Sequence, residues 1–156
     1  QSQTSEPDIR FITLPSFTAF CQEFKDSDLA KKTEDLRKAF IEATKKYQLD
    51  TAGKMCTEVF IESTSEGRYV IPVAADPDTN DEHIKKLPQT AAICIYYRGP
   101  YENFDTVQKK LLDYAKESNL ATCGYFRNSF MEGPPTHGAN KDAYITQIAL
   151  PICHLE

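Results

Sequence analysis

The chain has 156 residues, 40% of them hydrophobic and 26% charged, with a formal net charge of −5. That size suits one domain, residues 1–156, or two small halves sharing a core. The acidic balance argues against a nucleic-acid surface, which needs clustered lysine and arginine to displace counterions. No apolar run reaches the ~18 residues of a membrane span, and no signal peptide is visible. The five cysteines include no CxxC pair, so they read as reduced thiols in a cytoplasmic protein. The polar opening QSQTSEPD reads as a tail or linker end, which fits a piece of a longer protein.

IRFITLPSFTAFCQEF, residues 9–24, is rich in β-branched and aromatic residues and reads as a strand. Pro15 belongs near its start or at a sheet edge, because proline cannot donate to the ladder. In the next segment Leu36, Phe40, Ala43 and Tyr47 recur at helical spacing between charges. MCTEVFIES and RYVIPVA read as strands joined by a hairpin at SEG, residues 65–67. PDTNDEH, residues 77–83, is polar and turn-rich and reads as a connector. Then the order recurs. HIKKLPQTAAICIYYRG is a strand. Asn103 is placed to cap a helix with Phe104, Val107, Leu111, Tyr114 and Ala115 on its apolar face. TCGYFRNSF is a strand, MEGPPTHGANKD (residues 131–142) a loop, and AYITQIALPI the last strand.

The recurrence extends to residue identity. Leu14, Pro15, Ala19 and Cys21 reappear at one fixed offset as Leu87, Pro88, Ala92 and Cys94. Tyr69-Val70 and Val73-Ala74 correspond to Tyr144-Ile145 and Ile148-Ala149. Leu36, Phe40, Ile41 and Leu49 correspond to Val107, Leu111, Leu112 and Leu120. The expectation is an α+β fold of tandem βαββ units, residues 9–76 and 82–153. They form one antiparallel sheet with helices packed against it and a ligand cleft at the pseudo-twofold axis. The copies differ where the opening strand ends: Glu23-Phe24-Lys25 in the first, Tyr96-Tyr97-Arg98-Gly99-Pro100-Tyr101 in the second.

YYRGPYENFDTVQKKLLDYAKESNL, followed by a strand, a proline-containing loop and YITQIALPI, resembles the gyrase-inhibitor-like (GyrI-like) effector-binding family. That family includes the ligand-sensing domains of MerR-type and AraC-type transcription regulators and some standalone proteins. The resemblance covers nearly the whole chain. It implies two βαββ units and a central cleft for hydrophobic, often cationic, small molecules. The family commonly places a buried Glu on the strand after the second helix. Here that position holds Asn128, which offers hydrogen bonds but no charge. Glu58, beside Thr57 on the pseudo-symmetric strand, is the substitute carboxylate. Strand alternation leaves open whether it points into the cleft or away. Glu132 is a weaker candidate, being in a loop.

With Asn128 in the cleft, Phe126 and Phe130 share its side, while Tyr125 and Arg127 point elsewhere. Tyr69 and Tyr144 hold matching places in the two halves. Alternation lets only one of Tyr96 and Tyr97 face the cleft, and Tyr96 is the candidate. These aromatics would stack on a flat ligand or hold a cation over a ring. No phosphate loop or HExxH is present, and His83, His137 and His154 are scattered, so no metal and no cofactor is expected. Haem would lack an obvious axial ligand.

The leading expectation is a binding module for a hydrophobic or aromatic, drug-like molecule. It would act alone or sense ligand for a DNA-binding domain of a longer parent protein, with no nucleic-acid contact of its own and no membrane association. The alternative is a hydrolase of strained electrophiles using Glu58 and a tyrosine. A third is a module that inhibits a partner enzyme through an exposed apolar patch.

Overall fold

The duplicated pattern folds as an antiparallel half-barrel with two helices packed on one of its faces. The computed structural model describes residues 9–25, 29–50, 54–62, 66–74, 80–132 and 137–155. The first half comprises Arg10–Leu14 (β1), Phe17–Lys25 (β2), the helix Leu29–Lys46 (α1), Gln48–Leu49 (β3), Cys56–Phe60 (β4) and Glu66–Ala74 (β5). The second comprises Ile84–Leu87 (β6), Thr90–Arg98 (β7), the helix Phe104–Glu117 (α2), Leu120–Thr122 (β8), Tyr125–Glu132 (β9) and Ile145–Leu155 (β10). The strand order is β1-β7-β10-β9-β4-β5-β2-β6, with β3 paired to β5 and β8 to β10. The hairpin at 65–67, the connector 77–83 and the loop 131–142 fall partly outside the described residues.

Each Leu-Pro step breaks what the sequence suggests is a single strand. Pro15 separates β1 from β2, and Pro88 separates β6 from β7. A proline has no N–H for the ladder, so pairing stops there and resumes beyond it. The two arms cross over. β1 pairs with β7 of the second half, from Arg10 opposite Cys94 to Leu14 opposite Thr90. β6 pairs with β2 of the first half, from Phe17 opposite Leu87 to Phe20 opposite Ile84. Both ladders lie on one register. The pairs Leu14–Thr90 and Phe17–Leu87 are images of each other under the repeat, so the pseudo-twofold axis passes between the Leu-Pro steps. TCGYFRNSF also differs from expectation: Cys123 and Gly124 (φ 93°) separate β8 from β9.

The sheet curls strongly. The Arg127 guanidinium on β9 lies 5.6 Å from the Phe17 ring on β2, although β4 and β5 lie between those strands in the sheet. Ala19, Cys21, Cys56, Val70, Ala92, Cys94 and Ala149 line this concave face and are buried without any helix over them. Small side chains recur at the matched central positions of this face, Ala19 and Cys21 with Ala92 and Cys94, while Leu14, Leu87 and Phe17 fill its ends. Cys21, Cys56 and Cys94 are free thiols. Burial pushes Cys21 up to about 11 and Cys56 up to about 12, so all three behave as small apolar groups. The expectation of five reduced cysteines is corrected at the remaining two. The bulge in β10 between Ile152 and His154 brings Cys153 against Cys123 beside β8, where they form a disulfide.

The opposite face carries the large side chains: Phe20, Phe24, Tyr69, Ile71, Ile93, Ile95, Phe126, Ile148 and Leu150. Ala39 and Ala43 of α1, with Leu36 and Phe40, and Val107, Leu111 and Ala115 of α2 pack onto it. Each fully buried Val or Leu contributes about 1.5–3 kcal/mol. Asn103 sits at the start of α2 but its side chain makes no capping bond, because a tight helical turn at Tyr101–Asn103 already leads into the helix. Among the described residues, no helix is long and apolar enough to cross a membrane.

The tightness of the concave face is testable on one strand. Ala92→Leu should destabilise the protein by about 1–3 kcal/mol through overpacking. Ala91→Leu, at an exposed position on the alternate face, should stay within ~0.5 kcal/mol of the parent in urea unfolding. Equal effects would contradict the assignment of faces.

Candidate functional site

α1 packs mainly over β2, β3 and β5, and α2 over β7, β8 and β10. The strip of sheet between them is β4 and β9, where the two halves pair. On this helix-side face Thr57 stands opposite Asn128, and Val59 opposite Phe126. Tyr69 stands beside Thr57 on β5. Ile148 stands beside Asn128 and Thr146 beside Phe130 on β10, and Tyr97 beside Thr146 on β7. Paired residues project from the same face, so this row is one continuous surface.

An aromatic cluster closes one end of the strip. Tyr101, held in the turn between β7 and α2, has its ring 5.2 Å from Phe130, 5.2 Å from Tyr144 and 5.5 Å from Phe104. Tyr97 meets Phe104 edge-on at 5.9 Å. The Tyr97 hydroxyl donates to the Pro100 carbonyl at 3.1 Å, and the Tyr144 hydroxyl to the Gly138 carbonyl at 2.6 Å. Gly99 takes φ 145° at this turn and donates its N–H to the Tyr144 carbonyl. An added Cβ at Gly99 would meet the Tyr97 ring and hydroxyl, so the Gly-Pro step is what lets the turn close. Burial raises the Tyr101 phenol above its ordinary value, and Tyr144 adds to this.

Two polar atoms on this face have no partner. Asn128 is 3% exposed and Thr146 fully buried, yet Asn128 Oδ1 and Thr146 Oγ1 each lack a hydrogen bond. Asn128 Nδ2 donates to Thr57 Oγ1 at 3.5 Å. A buried polar atom without a partner is costly, and such atoms in folded proteins call for an explanation.

Glu58 is on the other face. Strand alternation puts it with Cys56, and its neighbours across the ladders are Arg68 and Arg127. Arg68 Nε donates to Glu58 Oε1 at 2.7 Å. Arg127 Nε and Nη2 both donate to Oε2 at 2.9 Å. Burial works against both guanidinium charges, and the Glu58 carboxylate together with nearby thiol and phenol groups outweighs it, so both are held more firmly charged than usual. Glu58 therefore does not share a side with Asn128: it is the counter-charge of two arginines at the β4–β9 seam. Tyr96 likewise lies on the side opposite Asn128. It is 45% exposed on the concave side, where Gln147 Nε2 donates to its hydroxyl at 2.9 Å and Arg10 lies over its ring. Its neighbour Tyr97 takes the helix-side place.

Asn128, Phe126 and Phe130 share the helix side with Tyr69, and Tyr144 joins them through Tyr101. Tyr69 packs on Phe24 at 4.7 Å, under the first helix rather than in the Tyr101 cluster. Glu132 lies at the rim, nearly half exposed, with His137 Nε2 2.7 Å from it. Thr146 and Tyr101 join this surface without having been sequence candidates, and Tyr97 takes the place for which Tyr96 was preferred. The small residues Ala92 and Cys94 mark the concave side of β7. The residue two further on, Tyr96, shares that side, which leaves Tyr97 for the helices. Among the described residues no group of three His, Cys, Asp or Glu could hold a metal.

No family model and no curated protein matches the sequence. In three dimensions the chain is similar to the C-terminal domain of EcmrR, with a TM-score of 0.79 and 13% identity over 94% of this chain and 98% of that domain. Against EcmrR in its complex with DNA the TM-score is 0.80 at 15% identity, covering 93% of this chain and 57% of that one. It is also similar to SAV2435 bound to tetraphenylphosphonium (TM-score 0.62, 15% identity, 96% of each chain). A hydrolase from Listeria innocua aligns at a TM-score of 0.57 and 11% identity over 95% of this chain and 93% of that one. These likenesses establish the fold: it is the gyrase-inhibitor-like fold found in C-terminal domains of MerR-type regulators.

Two predictions concern the charges. Glu58→Gln leaves two guanidiniums facing each other without a counter-charge and should cost about 3–5 kcal/mol in chemical unfolding; a cost under ~1 kcal/mol would contradict the triad. A second carboxylate, Asp81, ties the connector to the end of α1. It accepts from the Tyr47 hydroxyl at 2.6 Å and from the His83 backbone N–H at 2.9 Å. These bonds, Tyr47's first, lower its pKa from 3.8 to about 2. A carboxylate depressed on folding adds stability above its unfolded pKa, and this is lost as pH falls through the folded value. Parent stability should therefore drop between about pH 4 and pH 2. Asp81→Asn should be less stable at pH 7 and show a shallower drop across that window.

Proposed function

We propose that the chain is a small-molecule-binding module whose ligand, a flat hydrophobic or aromatic molecule, lies on the helix-side strip formed by β4 and β9. The observation that carries this is the aromatic cluster around Tyr101, set at the end of the β4–β9 strip that neither helix mainly covers. Offset and edge-on ring contacts of this kind hold planar molecules with little loss of side-chain freedom. The site residues of this reading are Asn128, Phe126, Phe130, Tyr144 and Tyr101, with Tyr69 toward the first helix.

Ligand sensing follows from where Tyr101 stands. Its turn joins β7 to α2, and its ring touches β9 and the residue preceding β10. A ligand stacked there would favour one placement of α2 over another, and that differential affinity is what a sensor transmits. The likeness to EcmrR, whose DNA-bound chain is longer than this one, supports a role as the ligand-sensing part of a cytoplasmic regulator whose DNA-binding domain lies elsewhere. The ligand named with SAV2435 supports hydrophobic cations as one class to test. The alternative, hydrolysis of electrophilic small molecules, is supported by the Listeria likeness. It loses its expected base, because Glu58 faces away; Glu132, paired with His137 at the rim, is the carboxylate on which it would have to rely.

A thermal-shift series with flat neutral and cationic aromatics tests the binding reading. A ligand at a hundredfold excess over its Kd stabilises the native state by about 2.7 kcal/mol, which for a chain of this size is roughly 5 °C or more. At least one compound should reach this, and Tyr101→Ala should abolish it. No shift from either class, together with turnover of an epoxide probe that Glu132→Gln abolishes, would favour the hydrolase.

A further inference from the structure

Asn128 Oδ1 and Thr146 Oγ1 project from the same face of adjacent strands. Asn128 pairs with Ile148, two residues along from Thr146, so the two are diagonal neighbours with backbones about 7–8 Å apart. Both are more than nine-tenths buried and neither has a partner. Around them stand Phe126, Ile148 and Phe130, which carry no side-chain donor, Tyr97, whose hydroxyl donates to the Pro100 carbonyl, and Thr57, whose Oγ1 accepts from Asn128 Nδ2. No carboxylate shares their row: Glu58 is turned to the concave face and engaged by two guanidiniums, and Glu132 is at the partly exposed rim with His137.

We infer that the site selects uncharged aromatic molecules carrying an N–H or O–H donor. The donor bonds to Asn128 Oδ1, and the Thr146 hydroxyl bonds to a polar atom of the same ligand, which can be the donor's own oxygen. An amide oxygen accepts but brings no charge, whereas a hydroxyl both donates and accepts. A cation entering this strip would lose its hydration without a carboxylate to replace it. A neutral donor loses one bond to water and regains one to an atom that otherwise has none. A buried acceptor left idle by an analogue that lacks the donor is what makes such sites selective. This inference rests on the binding reading above and narrows it to a ligand class.

Calorimetric titration of the parent chain with three probes separates the two. 2-Naphthol carries the donor; 2-methoxynaphthalene keeps the ring and loses it; a naphthyl-trimethylammonium ion keeps the ring and adds a permanent charge. The expected result is 2-naphthol binding about tenfold more tightly than its methyl ether, with the ammonium ion weakest. Asn128→Leu should reduce that ratio to about one; Thr146→Val serves as the second variant and should weaken 2-naphthol as well. Equal binding of 2-naphthol and its ether to the parent would mean that water alone serves the two atoms, and would overturn the inference while leaving the binding reading intact. Strongest binding by the ammonium ion would overturn it too. Binding of none of the three would count against the binding reading itself.

Discussion

One carboxylate, Glu58, organises the middle of this molecule. It sits at the seam where the two βαββ units pair, with a guanidinium from its own half on one side and one from the other half on the opposite side. A buried charge in this position persists only when it is paired and bonded on every available lone pair. That requirement holds β4 in one orientation between β5 and β9. Because alternate residues on a strand face opposite ways, turning Glu58 to the concave side turns Thr57 and Asn128 to the helix side. The charge needed to close the seam is thus the charge that the candidate site lacks.

The two faces of the half-barrel follow opposite rules. The concave face is closed by curvature: its centre takes alanine, cysteine and one ion triad, its ends take Leu14, Leu87 and Phe17, and among the described residues no helix packs on it. The helix face takes large side chains, and the two helices cover its flanks. The strip between them, with rings at one end and two idle polar atoms along it, is where the chain combines apolar surface with unmet hydrogen bonding.

Much of this was legible in the residues. The repeat, the two helices with their apolar faces, the antiparallel sheet and the placing of Asn128, Phe126 and Phe130 on one side follow from periodicity and from matched positions. What escaped did so for physical reasons. A Leu-Pro step inside a β-rich run carries no sign of whether the strand resumes with the same neighbour or a new one, and here the neighbour changes on both sides of Pro15 and Pro88. Two tyrosines in succession leave parity undecided; the small residues Ala92 and Cys94 were the clue to it. Glu58 read as a site residue because a strand carboxylate shows its charge in the sequence, while the arginine that neutralises it from the other half is 69 residues away. The disulfide between Cys123 and Cys153 depends on a bulge in β10, which no spacing rule foretold.

The central claim is that ligand occupies the helix-side strip and not the concave face. Side-chain NMR of the intact chain, with labelled Asn amides, Tyr rings and Arg guanidiniums, tests it in one titration with 2-naphthol. The account predicts that the Asn128 amide and the Tyr101 and Tyr144 rings shift in a saturable way while Tyr96 stays fixed. Shifts concentrated at Tyr96 and the Arg68 and Arg127 guanidiniums, with Asn128 unmoved, would place the ligand on the wrong face and contradict it.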